Sequence, residues 1–241
     1  MKAIIKQLKK RRHVVFLDLE GTQFSHEMIA LGAVRVDLDR NYNIRKIYKG
    51  IKIYVKPKNP IGRFVEELTG INNKILNTQG VSYKEALEKL KHYLGLSYNK
   101  TCFITFGTHD IRIFVKSLEA SSDADSQIVH HICGNYIDLA AIISQYIKDE
   151  NGQQLSQSRY LELFGETPIG TMHDPLDDAK NLMLLYKCMM KNSDLIYESY
   201  LKVLTNMKYL PDPVHQTIVK LISGKDVTSE EFKKLVRNYI E

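Results

Sequence analysis

The run Val14-Val15-Phe16-Leu17, leading directly into Asp18-Leu19-Glu20, constrains this chain more than any other feature. A short continuous apolar run reads as a buried strand, so Val14 to Leu19 is expected to cross the core. Asp18 and Glu20 lie two positions apart, and in a strand their side chains leave the same face while Leu19 turns into the core. Two carboxylates on one face repel each other unless a cation lies between them, and oxygen-only donors suit Mg²⁺ or Mn²⁺. A pair of solvated strand-end acids remains the other reading of this triplet taken alone.

Met28 to Leu38 and Arg45 to Val55 alternate as two further strands, joined by a turn at Asp39-Arg40-Asn41-Tyr42-Asn43. This gives a three-stranded antiparallel meander. Helical spacing follows over Tyr83 to Leu94, then a short apolar strand over Thr101 to Phe106 and a helix from about Asp110 to Ala120. Asn135 to Leu139 reads as a last short strand running into an apolar helix, Ala140 to Ile147. Ser156 to Phe164 reads as a helix, and Gly165 to Thr171 as a loop. Asp174 to Met190 carries an apolar helical face, with Pro175 fitting its first turn, where a missing N–H costs nothing. Beyond Ser193 come three short helical patterns punctuated by Pro211, Pro213 and Gly224. The order of elements predicts an α/β fold, a mixed sheet flanked by helices with a C-terminal helical appendage.

Three more chemically useful residues lie at element ends. Asp110 opens a helix straight after a core strand, and His173 precedes Asp178 by five residues at the start of another helix. Each acid, read singly, fits a helix cap or first-turn charge better than a ligand. Asp138 reads as a strand-end residue capping the next helix rather than as a ligand. His109 adjoins Asp110 and would either orient it, touch a phosphate or serve the fold.

Taken together, Asp18-Leu19-Glu20, Asp110 and His173-x-x-x-x-Asp178, in this order and spacing, resemble the DEDDh 3′–5′ exonucleases, the DnaQ-like superfamily with a ribonuclease H-like fold. Glu27 to Val34, Glu67-Leu68-Thr69-Gly70-Ile71, Tyr136 to Leu139 and His173 to Ala179 also look familial, so the resemblance covers about residues 13 to 190. It implies that Asp18, Glu20, Asp110 and Asp178 hold two divalent ions, Mg²⁺ or Mn²⁺, about 4 Å apart and bridged by the scissile phosphate. One ion and His173 would activate a water, and the other would stabilise the departing 3′-oxygen. The family spacing selects Asp178 over Asp177. Imidazole suits the base role because its proton exchanges near working pH, so activity is expected to collapse below about pH 6. Thr22, Leu68, Thr69 and Ile71 are implied as contacts of the terminal nucleotide.

The implied reaction is removal of mononucleotides from the 3′ end of single-stranded nucleic acid, with RNA slightly favoured over DNA by the wording of the motifs. Two alternatives stay open: a polymerase-associated proofreading subunit, and a catalytically silent nucleic-acid or protein-binding module on the same fold.

Charge and composition bound the rest. The net charge is +6, and residues 1 to 12 carry six basic residues and no acid; the remaining 28 basic residues balance 28 acidic ones. This basic arm reads either as a solvated leader or as a segment attracting phosphates. The expected organisation is an arm over residues 1–12, an exonuclease domain over 13–193 and a helical extension over 194–241, which would be the place for a protein partner. Three dispersed cysteines, Cys102, Cys133 and Cys188, fit neither a disulfide framework nor a CxxC metal site, so a reduced, cytoplasmic setting is expected. No apolar stretch approaches the roughly 18 residues of a membrane span, so no membrane partner is expected.

Overall fold

The computed structural model describes residues 1–207 and 209–240. Lys208 and Glu241, both within the expected extension, lie outside the described residues. The chain opens with helix α1 (Lys2–Leu8), followed by strands β1 (His13–Gly21), β2 (Met28–Leu38), β3 (Ile44–Ile47) and β4 (Ile51–Tyr54). Helices α2 (Arg63–Thr69), α3 (Asn73–Gln79) and α4 (Tyr83–Leu94) come next, then a 3₁₀ turn (Gly95–Lys100). Strand β5 (Thr101–Thr105), helices α5 (His109–Ala120) and α6 (Ser126–Gly134), strand β6 (Tyr136–Asp138) and helix α7 (Leu139–Ile143) follow. Helices α8 (Gln157–Leu163), α9 (Pro175–Lys191), α10 (Ser193–Thr205), α11 (Asp212–Ile222) and α12 (Ser229–Ile240) complete the described order.

The six strands form one mixed sheet in the order β3-β2-β1-β5-β6, with β4 also paired to β2. The pairs β1–β2, β2–β3 and β2–β4 are antiparallel, whereas β1–β5 and β5–β6 are parallel. Strand β1 is central, paired with β2 and β5 on its two edges and covered on both faces, so Val14, Val15, Phe16 and Leu17 are each 0% exposed. Val15, Leu17 and Leu19 pack into a core with Leu87, Leu90 and Leu94 of α4, Ile113 and Phe114 of α5, and Ile128 and Ile132 of α6. On the opposite face Phe16 meets Tyr186 of α9 edge to face, with ring centroids 5.5 Å apart. Full burial of each such side chain contributes about 1.5–3 kcal/mol, so packing on both faces holds the central strand in place.

The third strand of the expected meander, Arg45 to Val55, is interrupted. Its halves, β3 and β4, pair with different stretches of β2, Val36–Leu38 and Ala30–Ala33. Tyr48, Lys49 and Gly50 lie between them; Tyr48 N still donates to Arg35 O of β2 (3.0 Å), and its hydroxyl is directed at Asp37 Oδ2 (2.6 Å). A Cβ at Gly50 would meet Leu176 Cδ1 at 2.6 Å, so the break makes room for the start of α9. Helices α2, α3 and α6 answer to no element in the sequence reading; two of them span only 7 residues each, too short to show a hydrophobic period. The helix expected over Ala140 to Ile147 ends at Ile143.

The basic arm is folded. Ile4 and Leu8 of α1 are each 0% exposed, while Lys2, Lys6, Lys9 and Lys10 remain on the surface. The chain resolves into two compact units, Met1–Ile142 with Ser156–Lys191, and Ile143–Leu155 with Asn192–Glu241. The helical unit thus draws in residues 143–155, which the sequence reading placed in the exonuclease domain. Within it, Tyr146 meets Tyr200 at 5.3 Å, and His215 Nε2 lies 2.7 Å from Thr205 O. Among the described residues, no helix is long and apolar enough to cross a membrane.

Candidate active site

The C-terminal end of β1 outruns its parallel neighbour, and this mismatch creates the site. Pairing with β5 stops at Phe16↔Ile104, so the N–H of Leu19 has no strand to bond. Asp110, in the first turn of α5, fills that gap: its Oδ1 accepts from Leu19 N at 2.8 Å. A first-turn acid of α5 therefore reaches across to β1, and it does so from a buried position, 5% exposed. Burial and Asp138 push the Asp110 carboxyl up to about 7, against the pull of the Leu19 N–H.

Asp18 and Glu20 leave β1 on the face that α9 covers. The approach of α9 depends on Gly32 of β2, directly opposite Asp18 in the ladder. A Cβ there would lie 1.9 Å from Pro175 O, so only glycine lets the helix start sit this low on the sheet. Asp174 caps α9, its Oδ1 accepting from Leu176 N (3.0 Å), while its Oδ2 accepts from Lys52 Nζ of β4 (2.5 Å).

The loop before α9 is tied down by α9's own side chains. Asn181 holds both backbone groups of Ile169 (2.7 and 3.0 Å), Asp177 accepts from Thr171 N (3.1 Å), and Asp178 Oδ2 accepts from His173 N (2.9 Å). These ties hold His173 in the left-handed region, at φ 61°, a conformation that costs a non-glycine residue about 1 kcal/mol or more.

The result is convergence. One ligand atom each from Glu20, His173 and Asp178 falls within 4.8 Å of the others. Asp18 feels, beyond burial, the charges of Asp110, Asp178, Glu20 and Asp174. Its carboxyl is raised well above the usual range, first by burial and then by those neighbours. Glu20 is pushed up to about 8 by burial, Asp178, Asp110 and Asp174, and Asp178 is raised mainly by burial. Acids packed together this way resist ionisation, and a hard divalent cation bound by their oxygens relieves them. The donor set therefore fits such a cation.

The remaining acids have other work. Asp138 Oδ1 accepts from Gly107 N (3.0 Å) and Ala141 N (2.9 Å), the capping role read from its position. Asp177 pairs with Lys180 at 2.7 Å. His109 meets His26 edge to face at 5.5 Å rather than Asp110. Of the four implied nucleotide contacts, Leu68 alone is exposed, at 42%. Thr22 is buried with its hydroxyl engaged by Ser25 Oγ and Glu27 N, Thr69 donates to Val65 O, and Ile71 lies in the small core with Ile29 and Ile61. These three shape the loops beside the site and present little to a ligand. The sequence reading missed Lys52, Asn181 and Glu27. Glu27 gathers Ser25, Lys58 and Asn59 into one network (2.5–3.2 Å) and holds the loop after β1 in place. Their signal lies in contacts distant in sequence, which no local motif displays.

A family model described as Exonuclease matches residues 15–186. The chain belongs to that exonuclease family. It is a nuclease, a hydrolase of phosphodiester bonds. A comparison with curated proteins found no match. Among solved structures, the nuclease domain of 3′hExo, a DEDDh family member bound to rAMP, superposes with TM-score 0.64 at 18% identity, over 76% of this chain and 94% of that one. Cell-death related nuclease 4 (CRN-4) gives 0.62 at 22% identity, over 76% and 65%. Exonuclease I of E. coli, in complex with an oligonucleotide, gives 0.58 at 15%, over 82% of this chain but 44% of its own. These likenesses establish the ribonuclease H-like exonuclease fold.

Proposed function

We propose that this exonuclease removes mononucleotides one at a time from the 3′ end of single-stranded nucleic acid, with RNA favoured over DNA. The observation that carries the reading is the convergence of Asp18, Glu20, Asp110, His173 and Asp178, from three elements far apart in sequence. In this reading Asp18, Glu20, Asp110 and Asp178 would hold two divalent cations, which would supply charge neutralisation at the phosphate and ease deprotonation of the attacking water. His173 takes the proton of the attacking water; the Asp178 tie to its backbone and the anchored loop fix the ring's approach. Leu68, exposed at the end of α2, lies against the terminal nucleotide, while Thr22, Thr69 and Ile71 set the contour of the surrounding loops.

The preference for RNA is supported by the likeness of the Asp-Leu-Glu-Gly-Thr and Phe-Gly-Thr-His-Asp segments to RNA-trimming relatives. It requires a donor or acceptor aimed at the 2′-hydroxyl. Single-stranded RNA and DNA labelled at the 3′ end, incubated with Mg²⁺, Mn²⁺ or EDTA, test all parts of the proposal. The expected result is cation-dependent mononucleotide release, faster from RNA and lost in His173→Ala. Release in EDTA, or an undiminished rate in the variant, would sink it.

A further inference from the structure

At the far end of β1 from the carboxylates, a cleft of about 310 Å³ opens between the end of the basic arm and the turn joining β2 to β3, lined by Arg12, His13, Asp37, Asp39, Arg40 and Arg45 among others. Its two acids are already committed. Asp37 accepts from His13 Nδ1 (2.7 Å) and the Tyr48 hydroxyl (2.6 Å), and these hold its carboxyl below the usual range despite burial. Asp39 Oδ1 accepts from Asn41 N (2.8 Å) and Asn43 N (2.9 Å), closing the turn. The three arginines are exposed, and none of the described ion pairs engages them. The walls are fixed, because Arg12 O accepts from Leu38 N at 2.8 Å and α1 is anchored by buried Ile4 and Leu8. Lys9 and Lys10 stand exposed beside it in sequence.

A fixed cleft with three guanidinium groups, whose two acids are already taken up by hydrogen bonds within the fold, suits a chain of phosphates, since each arginine presents a planar fork of donors. We propose that this cleft binds the phosphodiester backbone of the same strand whose 3′ end enters the carboxylate site, a proposal that rests on the nuclease reading above. The seven residue steps of β1 from His13 to Glu20 make the separation at least about 23 Å at strand rise. A stacked strand advances about 3.4 Å per nucleotide, so roughly seven nucleotides are needed to reach both places. Four nucleotides fall short.

Cleavage of 4- and 20-nucleotide oligouridylates or oligothymidylates by the full chain, across a salt series, tests this. Wild type is expected to favour the 20-mer about tenfold or more in kcat/KM at low salt, with the advantage fading as salt rises. Arg12→Gln/Arg40→Gln/Arg45→Gln should lose that advantage and flatten the log–log salt slope by about 2, at roughly 0.7 per lost phosphate contact. Its 4-mer kinetics should be unchanged, and the corresponding triple Lys variant should recover the 20-mer advantage in part. A triple Gln variant that keeps the advantage would overturn the proposal. So would a Gln variant impaired equally on both lengths and not rescued by Lys, or equal competition by poly-glutamate of matched charge. If wild type cuts neither length, the nuclease reading fails. Anisotropy of the labelled 20-mer in EDTA would then still report on the cleft: arginine-dependent binding supports it and arginine-independent binding overturns it.

Discussion

Three carboxyls at the end of β1 and the start of α5 are raised because the fold buries them together: Asp18 well up, Glu20 to about 8, Asp110 to about 7. For a carboxyl raised on folding, the stability contribution is fully present below the ordinary carboxylate range near 4 and is lost as pH climbs through the folded value. The cation-free protein should therefore lose stability between about pH 4 and 8. A bound divalent ion should restore more at pH 8, where it displaces fewer protons, than at pH 6. Thermal unfolding in Mn²⁺ and in EDTA at both pH values checks this; an equal Mn²⁺ increment at both would contradict it. By the same logic Asp18→Asn should raise the stability of the EDTA-treated protein at neutral pH by about 1–2 kcal/mol, while nuclease activity disappears. Denaturant titration of the variant should show the gain, and a loss would mean Asp18 serves the fold. Asp110 carries a second duty. Asp110→Ala leaves the Leu19 N–H without its acceptor and should cost about 1–3 kcal/mol, whereas Asp110→Asn keeps an acceptor and should cost less.

Among elements, the placement of α9 decides the site. Gly32 admits Pro175, Lys52 holds the capping Asp174, and Asn181 anchors the loop that delivers His173. Asn181→Ala should leave the core intact yet lower kcat at least tenfold, with circular dichroism near wild type; unchanged kcat would show that the loop holds itself. The strands and the long amphipathic helices were legible because each carries its own period: the apolar run of β1, the alternation of β2, the helical faces of α4 and α9. The five candidate site residues point to one place only as a set, since each acid singly reads as a cap, and Asp138 is one. The break between β3 and β4 was not legible, because it answers to Leu176, more than a hundred residues away in sequence. Short helices such as α2 and α3 leave no period to read. Thr22 and Ile71, taken as contacts from the resemblance, are buried by packing that the resemblance does not specify.

For the whole molecule, the two units divide the chain between a sheet-and-helix unit that contains every residue of the candidate site and a helical unit built from residues 143–155 and 192–241. The basic excess of residues 1 to 12 lies on a segment that includes helix α1, anchored by its buried Ile4 and Leu8. The central claim is that the buried acids at one end of β1 hydrolyse a strand from its 3′ terminus. The most direct measurement is the product ladder from a 5′-labelled single strand, with its 3′ end free or blocked, treated with Mn²⁺ at pH 8 by wild type and by Asp18→Asn. Stepwise shortening by single nucleotides from the free 3′ end alone is expected, absent in the variant. Internal cuts, equal digestion of the blocked strand, or a ladder that survives in Asp18→Asn would contradict it.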